Sequence, residues 1–201
     1  ICEGLVGSEM CIRDSAGAGV QWLRDKIRLI DNAYETEKIA KSKKNSKGVY
    51  VVPAFTGLGA PYWNSKSRGL ITGLTRDSDW RDLVRATIES VAYQTSDLFL
   101  SMRKDGLNPK SVKVDGGMVS NNWFVQFLSE ILKIKITRSK INETTALGAA
   151  YMAGYQTGIY RSLSDIKQNW KKDRDFKPKF NKSYRNKLLQ GWQQAIKKTL
   201  A

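Results

Sequence analysis

The chain contains no histidine among its 201 residues. That absence excludes Ser-His-Asp triads, Cys-His dyads and histidine-ligated zinc together, because each needs an imidazole as base or ligand. Cysteine is scarce as well: Cys2 and Cys11 are the only two, both near the start, where neither a disulfide framework nor a metal cluster is credible. No apolar run reaches the roughly 18 residues that a membrane-spanning helix requires. The first residues lack a basic stretch followed by an apolar one, so nothing marks secretion and cytoplasm is the expected setting. Any chemistry must run on carboxylates, backbone amides, lysine, arginine or a bound ion.

What is present reads as globular. Hydrophobic residues make up 41% of the chain, with six Trp and eight Tyr, enough for one large domain with a full core or for two small ones. Thirty-four basic residues against 19 acidic leave a net charge of +15. The excess gathers at residues 41–47, with four lysines, and at 167–187, where nine basic side chains face Asp173 and Asp175. Such patches can attract nucleic acid or anionic metabolites, or can be a solvated surface. The aromatics in the second patch, Trp170, Phe176, Phe180 and Tyr184, are irregularly spaced, which weighs against a base-stacking surface.

Along the chain, residues 1–14 show no period that continues into the residues after them. Together with a start at Ile1, this marks residues 1–15 as an expected unrelated leader on a truncated product. Val20, Leu23, Ile27 and Ile30 predict an amphipathic helix, and the lysine-rich stretch to Lys47 a solvated connector. Val49–Val52 and Leu70–Thr75 predict strands around a Gly- and Pro-punctuated loop at 55–63. A long helix is expected from Trp80 to Arg103, capped by Ser78 or Asp79 and ended by Gly106, with Val84, Ile88, Val91, Thr95, Leu98 and Met102 as its inner stripe. Then come a strand at Val112–Val114, a helix at Asn121–Leu132, a strand at Lys133–Arg138 and a small-residue helix at Thr145–Thr157. A short helix at Ser162–Trp170 and a last helix at Lys182–Leu200 complete the chain. Alternating strands and helices predict an α/β domain with helices against a mixed sheet.

One segment carries the most information: Val112-Lys113-Val114-Asp115-Gly116-Gly117-Met118-Val119-Ser120-Asn121-Asn122. A strand, an acidic residue, two glycines and a helix start is a common way to hold a nucleotide at a sheet edge. Glycine leaves the backbone uncovered, and a helix N-terminus exposes N–H groups. Many such turns serve only as tight turns, so this motif alone does not decide the matter.

Several separate stretches together resemble the FGGY carbohydrate kinases, and within them the glycerol kinase branch. They are Val51-Val52-Pro53-Ala54-Phe55-Thr56-Gly57-Leu58-Gly59-Ala60-Pro61-Tyr62-Trp63; Gly69 to Glu89; Ala92-Tyr93-Gln94-Thr95; the Asp115-Gly116-Gly117 segment; and Glu143-Thr144-Thr145-Ala146-Leu147-Gly148-Ala149-Ala150-Tyr151. The resemblance runs from about Ala16 to the C-terminus and implies that residues 16–201 are most of the second of two actin-like, ribonuclease-H-like domains around a cleft. It also implies ATP with Mg2+, glycerol held by a first domain outside this chain, and no catalytic or metal-ligating residue here. Gly17 and Gln21, before Trp22-Leu23-Arg24-Asp25, fall on the family's nucleotide-contacting Gly and Gln, and Gly117 and Asn121 on those of its adenosine motif. Asp115 is read as orienting the turn, and Tyr62 and Trp63 as packing the loop at the cleft edge. The implied partners are ATP or ADP, glycerol and further copies of the full-length chain, without membrane or nucleic acid. Another polyol kinase of the same family and a non-catalytic nucleotide-binding module stay open as alternatives.

Overall fold

In the computed structural model the described residues are 17–141 and 144–201. The expected leader at residues 1–15 lies outside them, as do Ala16, where the resemblance begins, and Glu143 of its last stretch. The chain is helical from residue 17 into a π-helical turn at Trp22–Lys26 (α1), followed by α2 (Glu35–Ser42), β1 (Tyr50–Val52), β2 (Leu70–Thr72) and α3 (Trp80–Lys104). After these come β3 (Ser111–Val114), α4 (Asn122–Leu132), β4 (Lys135–Ser139), α5 (Thr144–Gln156), α6 (Leu163–Gln168), β5 (Lys172–Phe176) and α7 (Lys182–Leu200). β1 and β2 form an antiparallel pair, with Val51 opposite Ile71. The second sheet is mixed, in the order β3-β4-β5: β3 runs parallel to β4, with Val112 opposite Ile136, and β5 antiparallel to it. The α/β reading with a mixed sheet is borne out.

The long helix α3 organises the molecule. Asp79 caps it, accepting from the N–H groups of Arg81 and Asp82, while the Asp82 side chain accepts from the Asp79 N–H. This reciprocal box satisfies donors that the first turn would otherwise leave free. A single inner stripe was expected, yet α3 is buried around most of its circumference between Asp82 and Asp97, because α2 and α4 pack on it and so does β1. The polar residues enclosed there are paired. Arg85 donates to Glu89 at 2.7 Å and to the Ala40 carbonyl, and Ser46 donates to Glu89 at 3.1 Å. Buried charge is tolerated where hydrogen bonds replace water.

The core is aromatic at its centre. Tyr93 of α3 stacks on Trp192 of α7 with ring centroids 5.4 Å apart, and meets Phe127 of α4 edge-on at 5.7 Å. Trp192 is fully buried, and truncating such a side chain to Ala costs about 3–5 kcal/mol. α7 thus joins the β1–β2 pair to α3 and α4; of the apolar face that the sequence predicts for it (Tyr184, Leu188, Trp192, Ala195 and Ile196), the last four pack into the core and Tyr184 meets the Phe180 ring.

Two expectations are corrected, the first and third below, and one element, the second, was not foreseen. The stretch up to Lys47 is not simply a solvated connector. It contains α2, where Asn32 and Glu35 bond reciprocally at the helix start and Ile39 and Ala40 enter the core. Lys43 is largely covered and pairs with Asp79 and Asp82, each at 2.9 Å. Second, residues 172–176 form a strand although four of the five are charged. The Asp175 carboxylate accepts from Thr137 at 2.7 Å and Asp173 from Arg138, so the charges lie on hydrogen-bonding partners and Phe176 supplies the buried anchor. Third, the first helix stops at Lys26, and Ile30 reaches the core from the following loop.

Candidate functional site

The glycine turn after β3 adopts an open form. Gly116 takes φ +92°, a conformation that disfavours side chains, and at both Gly116 and Gly117 an added Cβ would meet nothing within 4 Å. Gly117 is exposed, and Asp115 before it is exposed as well. The helix does not begin directly at the turn. A 3-10 turn at Gly117–Ser120 intervenes, and Asn121 then caps α4, its Oδ1 accepting from the Phe124 N–H at 2.9 Å.

Two neighbours that the sequence did not flag hold this turn. Arg138 of β4 donates to the Val119 carbonyl at 2.7 Å while pairing with Asp173 at 2.6 Å, so β4 and β5 together brace the 3-10 turn from one side. From the other side comes the start of α2. The Asn121 amide donates to the Thr36 hydroxyl at 3.2 Å, and the Asn122 N–H donates to Glu37 at 3.3 Å. Burial alone would raise the Glu37 pKa, but Lys41 and the Asn122 N–H outweigh it and bring the carboxyl below its usual range. Both braces join residues far apart in sequence, which is why periodicity could not find them. A capping signal in Asn32 and Glu35 was the available clue to α2.

Gly17 and Gln21 lie one turn apart on α1, so they share a face. Gly17 has open space where a Cβ would stand, and Gln21 is exposed. α1 rests on α3 through Gly19, whose Cβ position falls 2.8 Å from the Thr87 methyl, and through the fully buried Leu23. α4 rests on α3 as well. The four predicted nucleotide contacts therefore form two pairs, each open to solvent in its own turn and both carried by α3. No hydrogen bond joins one pair to the other among the described residues. The arrangement offers uncovered backbone and amide side chains, with the Asp115 carboxylate exposed directly before the turn. Among the described residues no three Cys, Asp or Glu side chains gather as a metal site.

The loop at residues 53–65 behaves in two ways. Tyr62 packs against the core as expected, whereas Trp63 is 64% exposed with φ +49° and packs little.

Comparison with known proteins bears on all of this. Residues 3–157 match the family described as the FGGY family of carbohydrate kinases, C-terminal domain. Glycerol kinase 1 of Pseudomonas aeruginosa is 53% identical over 183 residues, which is 91% of this chain and 37% of that protein. The crystal structure of Plasmodium falciparum glycerol kinase with ADP superposes with a TM-score of 0.82 at 39% identity, over 92% of this chain and 37% of that one. The ligand-bound xylulose kinase of Lactobacillus acidophilus, at 22% identity and TM-score 0.75, shares the fold over 90% of this chain and 37% of that one. The chain thus spans a little over a third of the length of these relatives, and its fold is that of their actin-like, ribonuclease-H-like C-terminal domain. It belongs to the FGGY family of carbohydrate kinases.

Proposed function

We propose that this chain is the adenine-nucleotide-holding part of an ATP:glycerol phosphotransferase, in which the complete polypeptide makes sn-glycerol 3-phosphate. The observation that carries the reading is the uncovered turn at Gly116 and Gly117, braced by Arg138 and by α2, in a chain 53% identical to a glycerol kinase. Gly117 lets the nucleoside approach the backbone, and Asn121, locked as a helix cap, keeps the turn in place. Gly17 and Gln21 present the second face from α1. Phosphoryl transfer depends mainly on positioning and on neutralising charge, and this chain supplies the positioning of the donor. The polyol-selecting side chains and the proton acceptor belong to the part of the polypeptide outside it.

Mg2+ belongs to the same reading, as the ion that neutralises the phosphates. No cluster of described residues suits a metal, so none is assigned to hold it. Self-association of the complete polypeptide follows from the same resemblance, and a cytoplasmic setting completes the reading.

The test is calorimetric ADP binding by the full-length polypeptide containing this chain, beside Gly117→Val and Asn121→Asp. Gly117→Val should weaken ADP at least tenfold. Asn121→Asp keeps the helix cap but loses the amide donor to Thr36, and should weaken ADP less than Gly117→Val does. Undiminished ADP affinity in Gly117→Val overturns the site. ADP uptake without any glycerol phosphorylation would favour a non-catalytic nucleotide-binding module instead.

A further inference from the structure

Between the loop at residues 53–65 and α3 lies a cavity of about 310 Å³ that includes none of Gly17, Gln21, Gly117 or Asn121. Its size is at the lower end of ligand pockets, which run from roughly 300 Å³ upward, and suits a molecule no larger than a monosaccharide. The chemistry of its lining is specific. Among the described residues no lysine or arginine borders it, so they offer an anion no counter-charge. The one carboxylate that the described residues bring to it, Asp97, already accepts from the Trp192 indole at 2.6 Å and the Gln193 amide at 2.8 Å, so a cation would have to compete with fixed neutral donors.

The remaining polar groups are neutral and free. Gln94 is half-buried in the wall, and its carboxamide has no hydrogen-bond partner among the described residues. The hydroxyls of Thr56 and Ser65 are likewise uncommitted there. A wholly apolar occupant would desolvate the Gln94 amide without replacing its hydrogen bonds, which is unfavourable. At the rim stands Trp63, exposed although large, with its backbone in the left-handed region. An indole plane with an adjacent amide and hydroxyls matches a ligand that has a C–H face and several hydroxyl groups.

We propose that this pocket binds a neutral polyhydroxylated small molecule, a polyol or a monosaccharide. Its hydroxyls meet Gln94, Thr56 and Ser65, and its C–H face lies on Trp63. The site stands independently of the nucleotide reading, since it shares no residue with it.

The experiment is saturation-transfer NMR on the 201-residue chain with glycerol, xylitol and methyl α-glucopyranoside as separate probes, and glycerol 3-phosphate as the anionic control. Transfer to at least one neutral probe at millimolar concentration is expected. It should fall at least fivefold in Gln94→Leu and in Trp63→Ala, while the circular dichroism of both stays native. Should Trp63→Ala perturb the fold, Gln94→Leu and Thr56→Val carry the decision. No transfer to any neutral probe, or equal transfer in wild type and variants, overturns the proposal. So does transfer to glycerol 3-phosphate that Gln94→Leu abolishes, which would assign the pocket to anions. Because no nucleotide enters the measurement, failure here leaves the ADP result untouched, and the reverse holds too.

Discussion

The Trp192 indole N–H donates to the Asp97 carboxylate at 2.6 Å across the α3–α7 interface, with the Trp192 ring stacked on Tyr93. This bond joins the last helix to the central one inside the core. Replacing Trp192 with Phe keeps an aromatic ring but removes the donor from a buried carboxylate, so the loss should be about 1–3 kcal/mol. Urea unfolding of Trp192→Phe measures it, and a midpoint equal to wild type would refute the assignment.

Asp97 also predicts a pH dependence. Burial pushes its carboxyl above the ordinary value, and the Trp192, Tyr62 and Gln193 donors only partly offset this. A raised carboxyl binds its proton more tightly in the folded state, so its contribution to stability grows as pH falls from the folded value toward the unfolded value near 4. Compared with Asp97→Asn, wild type should therefore gain in relative stability between neutral pH and about pH 4. Thermal melts across that range check the sign. Asp79 works the opposite way: Arg81 and Lys43 hold its carboxyl far below the usual range, and its contribution is lost as acid protonates it.

At the same helix start, Asp79 has two separable roles. Asp79→Ala removes the cap and the Lys43 pairing, costing about 1–2 kcal/mol, whereas Asn retains cap geometry and should cost less than half of that. Equal losses in the two variants would show that the ion pair, not the cap, matters.

Arg85 and Glu89 form a buried pair at 2.7 Å, with Arg85 also donating to the carbonyls of Ala40 and Lys43 and lying over the Trp123 ring. Burial pushes the Glu89 carboxyl up against the pull of Arg85. Arg85→Met strands a carboxylate and should cost about 3–5 kcal/mol. Adding Glu89→Leu should recover part of that loss, because the pair's strength lies in mutual compensation. A double mutant that loses the sum of the two singles would contradict this.

Two helical glycines should respond to alanine with opposite signs. Gly191 of α7 faces the Tyr50 ring, whose hydroxyl donates to the Leu188 carbonyl, so Gly191→Ala should destabilise by about 1–3 kcal/mol despite better helix propensity. At Gly148 of α5 an added Cβ meets nothing within 4 Å, and Gly148→Ala should stabilise the 201-residue chain by up to about 1 kcal/mol. Guanidinium unfolding of both variants decides, and agreement in sign would remove the packing explanation.

Much of this architecture can be read from local pattern. The seed of α3, its Asp79 cap, the apolar face of α7, the strand segments of β3 and β4 and the glycine turn all follow from periodicity and turn chemistry acting within a few residues. What escaped was non-local. α2 is short and lies beside a lysine run, so its helical signal was outweighed by charge, and Lys43 became a partly covered ion-pair partner only because α3 delivers Asp79 and Asp82 to it. β5 carries one apolar anchor and four charges, and it becomes a strand because β4 offers Thr137 and Arg138 as partners.

The candidate site divides in the same way. The residues at Gly17, Gln21, Gly117 and Asn121 were singled out by the family resemblance, because a glycine turn or a helical glycine and amide taken alone serves as often without a ligand. Their support was decided only by the fold. Arg138 reaches the Val119 carbonyl from 19 residues away, and Thr36 reaches Asn121 from 85 residues away. The sequence alone settled most of the helices, strands and open turns, α2 and β5 excepted, since those depend on neighbours along the chain. The tertiary structure settled which buried charges are matched and what braces the turn, since these depend on groups that meet only after the chain has closed on itself.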